Sequence, residues 1–385
     1  MVTTPTLDYL RRHALARSLF TPTTLPRALA RLGFVQADPI RAPARAQDLT
    51  LRQRVKDYRA GDLERRYAKL GVEEDFFVNY GFLPRATHAL MHPRTPRTVW
   101  PAARWAQAYA VLDFVQHHGT VHPRAVDAHF AHGKVKNWFG GASNASTQLL
   151  DGMHYRGLLR IAGREGGVRL YAARETHAAA PDGAAALDTL VDVVVAKYAP
   201  LPERSLSELI SHLRYGAPQW AEGRRAALAR AKLRLPSAHV SGLTWYWPEG
   251  EDPRSKRHAP HEQLRLLAPF DPVVWDRRRF EALWGWAYRF EAYTPAPKRL
   301  RGYYALPLLW RDQVIGWGNL KVQYGKLAAE IGFVNRRPRE RAFGQALDAE
   351  LAAITAFLGL SRPVTGARPR AGLSSAAQEG GVVRA

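Results

Sequence analysis

Two residues able to do chemistry, Gln36 and Asp38, stand side by side in Leu32-Gly33-Phe34-Val35-Gln36-Ala37-Asp38-Pro39-Ile40-Arg41. On a strand, residues two apart leave the same face, so an amide and a carboxylate are presented together. Arg41, Arg45, Arg52 and Arg54 follow at once. A carboxylate among cations can act beside a bound polyanion, as an anion near developing positive charge and as an acceptor for an attacking water. The same residues also allow a plainer reading, in which Asp38 caps a turn before Pro39 and Gln36 lies on the surface. A second carboxylate, Asp271 in Pro269-Phe270-Asp271-Pro272, reads as one that fixes a turn or pairs with Arg277 to Arg279.

Other chemistries are missing their residues. The chain has no cysteine, which excludes disulfides, thiolate catalysis and Cys-ligated metal centres. Of its 14 histidines, His129 and His132 have a ligand-like spacing but no HExxH or HxH pattern and no carboxylate partner, so no metal is expected. There is no P-loop, no GxGxxG after a strand and no G-x-S-x-G elbow, and no cofactor is expected.

Fifty-six Lys and Arg against 34 Asp and Glu leave the 385 residues with a net charge of +22. That excess points to nucleic acid as the partner. No apolar run approaches the roughly 18 residues that a membrane span needs. The N-terminal Thr3-Thr4-Pro5 lacks the pattern of a signal peptide, and a cytoplasmic, nucleoid-associated protein with no membrane partner is expected.

The elements that must position Gln36 and Asp38 begin with two helices over residues 7–32, the second capped by Thr24 and ended by Gly33. A short strand follows, cut off by Pro39. Residues 41–66 carry eight Lys or Arg against four acids, and Phe76, Phe77, Tyr80 and Phe82 form an aromatic cluster that reads as core. Three helices (around Tyr109–His117, from Pro123 to Phe130, and Ser143–Tyr155) precede a hairpin of Leu158–Ile161 and Val168–Tyr171. Residues 184–247 repeat that plan: Leu187–Lys197, a helix with a Ser205/Glu208 capping box, Gln219–Ala231, then Leu233–Val240 with Leu243–Trp247. Three helices and a hairpin make a winged helix, whose third helix enters a major groove. Beyond a polar linker at 248–262, strands are expected at Arg289–Tyr293, Tyr303–Trp310 and Val314–Val322, and a closing helix at Arg339–Leu358. The segment Thr294–Gly302 reads as a stiff tip carrying Lys298, Arg299 and Arg301 to phosphate. The expected fold class is α+β, and the expected units are 1–99 with the Gln-x-Asp motif, 100–175 and 184–250 as further winged helices, a β-rich 262–360, and a disordered tail at 361–385.

Three segments together resemble the AlkZ/AlkX (YcaQ-like) winged-helix DNA glycosylases. They are Gly33–Asp38 with its Arg-rich sequel, Gly133-Lys134-Val135-Lys136-Asn137-Trp138-Phe139-Gly140-Gly141, and Leu267–Arg278 with Tyr293–Arg299. The resemblance spans nearly the whole chain. Gln36-Ala37-Asp38 is similar to the Gln-apolar-Asp form of that family's catalytic motif, the form tied to crosslink unhooking. The resemblance implies tandem winged helices and a C-terminal β domain around a C-shaped basic channel. In one departure, Phe76-Phe77-Val78-Asn79-Tyr80-Gly81-Phe82 stands where AlkX-type relatives read with Trp and His before Leu-Pro.

The expected function is then hydrolysis of the N-glycosidic bond of cationic N7- or N3-alkylated purines in double-stranded DNA, crosslinks included. Asp38 is the carboxylate, Gln36 orients the water or the sugar, and no lysine nucleophile is needed. DNA contacts are expected from Arg41, Arg45, Arg52, Arg54, Lys134, Lys136, Asn137, Lys298, Arg299 and Arg301, on a monomer. The alternative is a non-catalytic winged-helix transcriptional regulator, indifferent to the loss of Asp38.

Overall fold

Gly33 ends the second helix, Leu25–Leu32, in the left-handed region at φ 64°, its N–H returning to the carbonyls of Leu29 and Ala30. Thr24 occupies the N-cap position of that helix without a side-chain bond. In the computed structural model, which describes residues 4–96, 98–136, 142–175, 182–360 and 368–369, the chain then forms the strand Val35–Gln36. This strand is the edge of a three-stranded sheet whose centre is Tyr80–Pro84 and whose far edge is Val72–Phe76. Val35 pairs with Phe82 and Gln36 with Gly81. Only glycine fits at 81, because a Cβ there would lie 2.3 Å from the Val35 carbonyl.

Residues 102–173 and 183–246 share one plan of helix, two-residue strand, two helices and hairpin. The first copy runs Ala102–His118, Thr120–Val121, Pro123–Phe130, Ala145–Arg156, Leu159–Glu165 and Val168–Ala173. The second runs Gly183–Tyr198, Leu201–Pro202, Glu203–Gly216, Arg224–Arg234, Ser237–Val240 and Leu243–Tyr246. In both, the short strand pairs with one strand of the hairpin. The proposed Ser205 cap is corrected: the helix starts three residues earlier, with Pro202 at the N-cap position, and Ser205 is buried inside its first turn.

The C-terminal sheet orders Leu264–Leu266, Leu306–Trp310, Gln313–Gln323 and Lys326–Phe333, all antiparallel, with Arg368–Pro369 added in parallel. Arg341–Phe357 closes it. The rest of 361–385 lies outside the described residues. Two expectations change here. Arg289–Tyr293 is irregular, because the buried Glu291 carboxylate takes the N–H groups of Leu300, Arg301 and Gly302 that a ladder would otherwise have used. The strand Lys326–Phe333 was not anticipated. It follows a two-residue turn of Tyr324 and Gly325, both at positive φ, which matches the twist of a hairpin.

Apolar burial explains what holds these pieces together. Val35, Leu49, Leu51 and Phe82 share a core with Leu266, Leu306, Ile331, Leu347 and Ile354 of the C-terminal sheet and helix. Leu10, Phe34 and Phe77 instead join Leu190, Val194, Leu209 and Trp245 of the third helical unit. The second unit has its own core around Val111, Leu149 and Ile161. It is fastened to the first sheet by charge: Glu73 takes Arg160, and Glu74 takes Arg164 and Arg169. Among the described residues no helix is long and apolar enough to cross a membrane.

Candidate active site

Gln36 leaves its strand buried, and Trp275 Nε1 donates to its Oε1 at 2.7 Å. That bond assigns the amide: the oxygen faces the indole, and the NH2 group is turned away from it. Past the strand, the Ala37 N–H reaches the Tyr80 carbonyl and the Asp38 N–H reaches Gln47 Oε1 at 3.2 Å. Asp38 Oδ1 accepts the Ile40 N–H at 2.9 Å, a turn around Pro39. The turn and the presentation of a carboxylate are therefore the same geometry, not competing readings. The Asp38 side chain makes that one hydrogen bond and no ion pair among the described residues. Glu73, Glu74, Asp75, Asp271 and Glu350 each hold an arginine by contrast.

Asp38 is 9% exposed, and this burial raises its carboxyl above the usual carboxylate range, with the Ile40 N–H pulling partly the other way. Its charge is felt by Tyr304, a buried phenol raised first by its own burial and next by the Asp38 anion. Arg277 acts on the same phenol in the opposite sense while lying 4.5 Å over the Tyr288 ring. Sequence reasoning had not singled out Trp275, Tyr304 or Gln47 as individuals. The only signal was an indole donor three residues beyond the Asp271-Pro272 turn.

Trp275 is delivered by a buried lock. Asp271 accepts Arg54 Nη1 at 2.8 Å and Nη2 at 2.9 Å, both side chains fully buried, and also caps the Val273 N–H. The Trp275 N–H returns to the Asp271 carbonyl at 2.8 Å. Arg54 further donates to the carbonyls of Ser18 and Thr50. The expected turn at Asp271 is thus present, but its partner is Arg54, not Arg277 to Arg279. This corrects the assignment of Arg54 to DNA: each of its three nitrogens bonds inside the protein, and the side chain is fully buried. Arg52 is corrected likewise, being buried against Glu350 and the Leu266 carbonyl.

The remaining cations divide. Arg41, Lys134 and Lys298 are exposed. Arg45 is half-buried and paired with Glu64, and its pKa is lowered first by burial and next by Arg41. Arg299 lies 5.1 Å from the Tyr303 ring centre and donates to the Thr294 carbonyl. Arg301 is half-buried over Trp286 and Trp317, at 4.9 and 5.7 Å, so it braces the 294–302 loop rather than forming its tip. The strand Lys134–Lys136 is present, while the Lys136 side chain and Asn137 lie outside the described residues. Of the aromatic cluster, Phe77 and Phe82 are core as expected, whereas Phe76 is 38% exposed and packs edge-on to Tyr80 and Tyr155.

Among the described residues His129 and His132 gather no carboxylate: His129 lies tilted against Phe114, and His132 Nδ1 pairs with Ser146. Among the described residues one group has the donor set for a metal, Asp75 with His88 and His92, all buried. Burial alone would raise Asp75, but Arg94, His154 and the two histidine bonds hold it well below the carboxylate range. Burial pushes the His92 imidazole down to about 2.

A family model described as DNA glycosylase AlkZ-like matches residues 29–357. In structure, the chain is similar to Streptomyces sahachiroi DNA glycosylase AlkZ, with a TM-score of 0.63 at 13% identity, covering 96% of this chain and 100% of that one. The family match includes Gln36, Asp38, Asp271 and Trp275.

Proposed function

The chain belongs to the AlkZ-like DNA glycosylase family, and on that premise we propose that it hydrolyses the glycosidic bond of cationic N7- or N3-alkylated purines, interstrand crosslinks included, with Asp38 as the catalytic carboxylate. As a DNA glycosylase it is an enzyme of DNA repair that binds DNA, which sets aside the reading as a non-catalytic regulator. The observation that carries the catalytic assignment is the unpaired state of Asp38. In a chain of net charge +22, it has one carboxylate oxygen without a protein partner among the described residues, while the buried acids Glu73, Glu74, Asp75, Asp271 and Glu350 hold arginines.

A purine alkylated at N7 or N3 already carries positive charge, so it leaves without a general acid. The barrier is the oxocarbenium character of the sugar and the placing of a water. Asp38 supplies an anion to the first and an acceptor to the second; Gln36, its oxygen held by Trp275, has its NH2 left to orient the water or the sugar. No Schiff-base lysine takes part, so the enzyme is monofunctional. Lys197, the buried lysine near Phe34, spends its ammonium on the Phe34 carbonyl and lies in the core.

The two helix–strand–helix–helix–hairpin units are winged helices, and residues 1–99 form the first of the tandem. With the β-rich 262–360 they border a C-shaped basic channel. Arg41, Lys134, Lys298 and Arg299 contact phosphate there, and a monomer suffices. An open channel suits a crosslink, which is tied to both strands and cannot be flipped fully out. The test is release of 7-methylguanine from duplex DNA, and unhooking of a nitrogen-mustard crosslink, by wild type and Asp38→Asn. Equal release by both proteins overturns the assignment. Borohydride trapping of a covalent DNA adduct overturns the monofunctional reading.

A further inference from the structure

The three-stranded sheet that carries Gln36 brings both of its edges to one level at one end. The Ala37 N–H reaches the Tyr80 carbonyl on one side of the central strand, and Phe76 pairs with Tyr80 on the other. Neighbouring strands lie about 4.8 Å apart, so Phe76 stands about 10 Å across the sheet end from the start of the Asp38 turn. Phe77, next in the chain, is wholly buried, whereas Phe76 keeps 38% of its surface exposed. The third helical unit abuts this edge so closely that a Cβ on Gly216 would lie 3.0 Å from both the Phe76 carbonyl oxygen and Phe77 Cα.

A row of rings runs from Phe76 back to the site. Tyr80 and Tyr155 lie 4.9 and 6.0 Å from the Phe76 ring centre, both steeply inclined to it. The Tyr155 hydroxyl donates to the Tyr215 carbonyl at 3.2 Å. His212 lies 5.8 Å from the Tyr215 ring and 6.1 Å from that of Trp275, the residue that holds Gln36. Tyr215 is 39% exposed. Arg214 lies 4.9 Å from its ring centre, bonds only to the Ser211 and Tyr215 hydroxyls, and forms no ion pair among the described residues. Single exposed rings are ordinary, but a row that reaches the support of Gln36 beside an arginine without a carboxylate is not. Rings for bases and a cation for phosphate are the make-up of a surface that takes unpaired nucleic acid.

We propose that Phe76, flanked by Tyr155 and Tyr215, is a stacking platform for the nucleobase opposite the lesion. The inference rests on the reading that Asp38 acts at the sugar of the damaged purine. Given that reading, the span across the sheet end is close to the separation of the two sugars of one base pair, so Phe76 meets the partner strand. Release of the purine leaves the partner base unpaired, and its π-face then exchanges the emptied stack for the Phe76 ring. Every base has such a face, so the platform is indifferent to sequence, which suits an enzyme whose substrate is defined by damage. Arg214 takes the adjacent phosphate of the same strand. Asp38 and Phe76 thereby hold the two strands of one base pair from the two edges of a single sheet.

The probe is a duplex with one tetrahydrofuran abasic analogue, compared by fluorescence anisotropy with the intact duplex of the same sequence. Wild type should bind the abasic duplex more tightly. Phe76→Leu keeps an apolar side chain and removes the ring. It should bind the abasic duplex about tenfold more weakly, with the intact duplex and the salt slope unchanged. Phe76→Trp should bind the abasic duplex at least as tightly as wild type. A duplex abasic on both strands at that position lacks the base in question, and there wild type and Phe76→Leu should bind alike. A Phe76→Leu chain that matches wild type on the singly abasic duplex, or weakens on all three duplexes equally, overturns the platform. So does a wild-type chain that does not distinguish the abasic duplex from the intact one, a result that needs no variant to fold. Asp38→Asn should keep the abasic preference, so equal release of 7-methylguanine by that variant sinks the catalytic reading without altering these binding differences.

Discussion

Replacing Asp38 by asparagine separates catalysis from folding, because the two shapes are alike and only the charge is lost. In Asp38→Asn the amide oxygen can still accept the Ile40 N–H that Asp38 holds at 2.9 Å, so the turn survives. A full unit charge about 4 Å away at an effective dielectric of about 20 is worth about 4 kcal/mol, and partial charge on the sugar reduces this to about 3. That corresponds to a loss of about 10²-fold in the chemical step, in the range of a single removed electrostatic contact. Stability should move the other way. Burial raises the folded-state pKa of Asp38, so its protonated form favours the fold, and that contribution is lost as pH rises through the raised value. At neutral pH the Asp38→Asn chain should therefore melt at or above the wild-type Tm, with the difference closing in acid. Single-turnover release of 7-methylguanine across pH, with thermal melts on the same samples, measures both. Wild-type release should fall as pH drops through the Asp38 pKa. An Asp38→Asn enzyme within about threefold of wild type, or a wild-type rate that stays flat from neutral pH down through the carboxylate range, refutes the reasoning.

Four further outcomes follow from named contacts. Trp275→Phe removes the indole donor to Gln36, and should reduce single-turnover release by about tenfold while leaving DNA affinity unchanged. Arg54→Ala strands the buried Asp271 charge and should cost about 3–5 kcal/mol in denaturant unfolding, with no change in the salt slope of binding measured under native conditions. Lys298→Ala should weaken DNA binding uniformly across sequences and lower the log–log salt slope by about one, read by fluorescence anisotropy. Glu291→Ala releases three N–H groups, so the amides of Leu300, Arg301 and Gly302 should lose hydrogen-exchange protection while the helix Arg341–Phe357 keeps its own.

The candidate site was legible where its signals are local. Gly33, Pro39 and the alternation of Val35-Gln36-Ala37-Asp38 specify a helix end, a short strand and a turn without reference to anything distant. The helices and hairpins of the second and third units occur in the expected order, but their bounds shift: the expected helix Gln219–Ala231 runs Arg224–Arg234, and the expected strand Leu233–Val240 begins at Ser237. The failures are equally physical. Arg289–Tyr293 has the composition of a strand, yet Glu291 satisfies the loop's N–H groups from below. Ser205 and Glu208 have capping-box spacing, but Pro202 had already begun the helix.

Composition and motif order by themselves determined a basic chain with no cysteine, a carboxylate–amide pair after a helix end, and a repeated helical plan. Tertiary structure decided which charges are available. Arg41 and Arg54 belong to the same basic run, but Arg54 meets Asp271, 217 residues away, and Arg52 meets Glu350, 298 away. Likewise Asp75 finds His154 only because the second unit docks on the first sheet. Ionic and hydrogen-bond partners act through space over a few ångströms, and folding alone brings such residues that close.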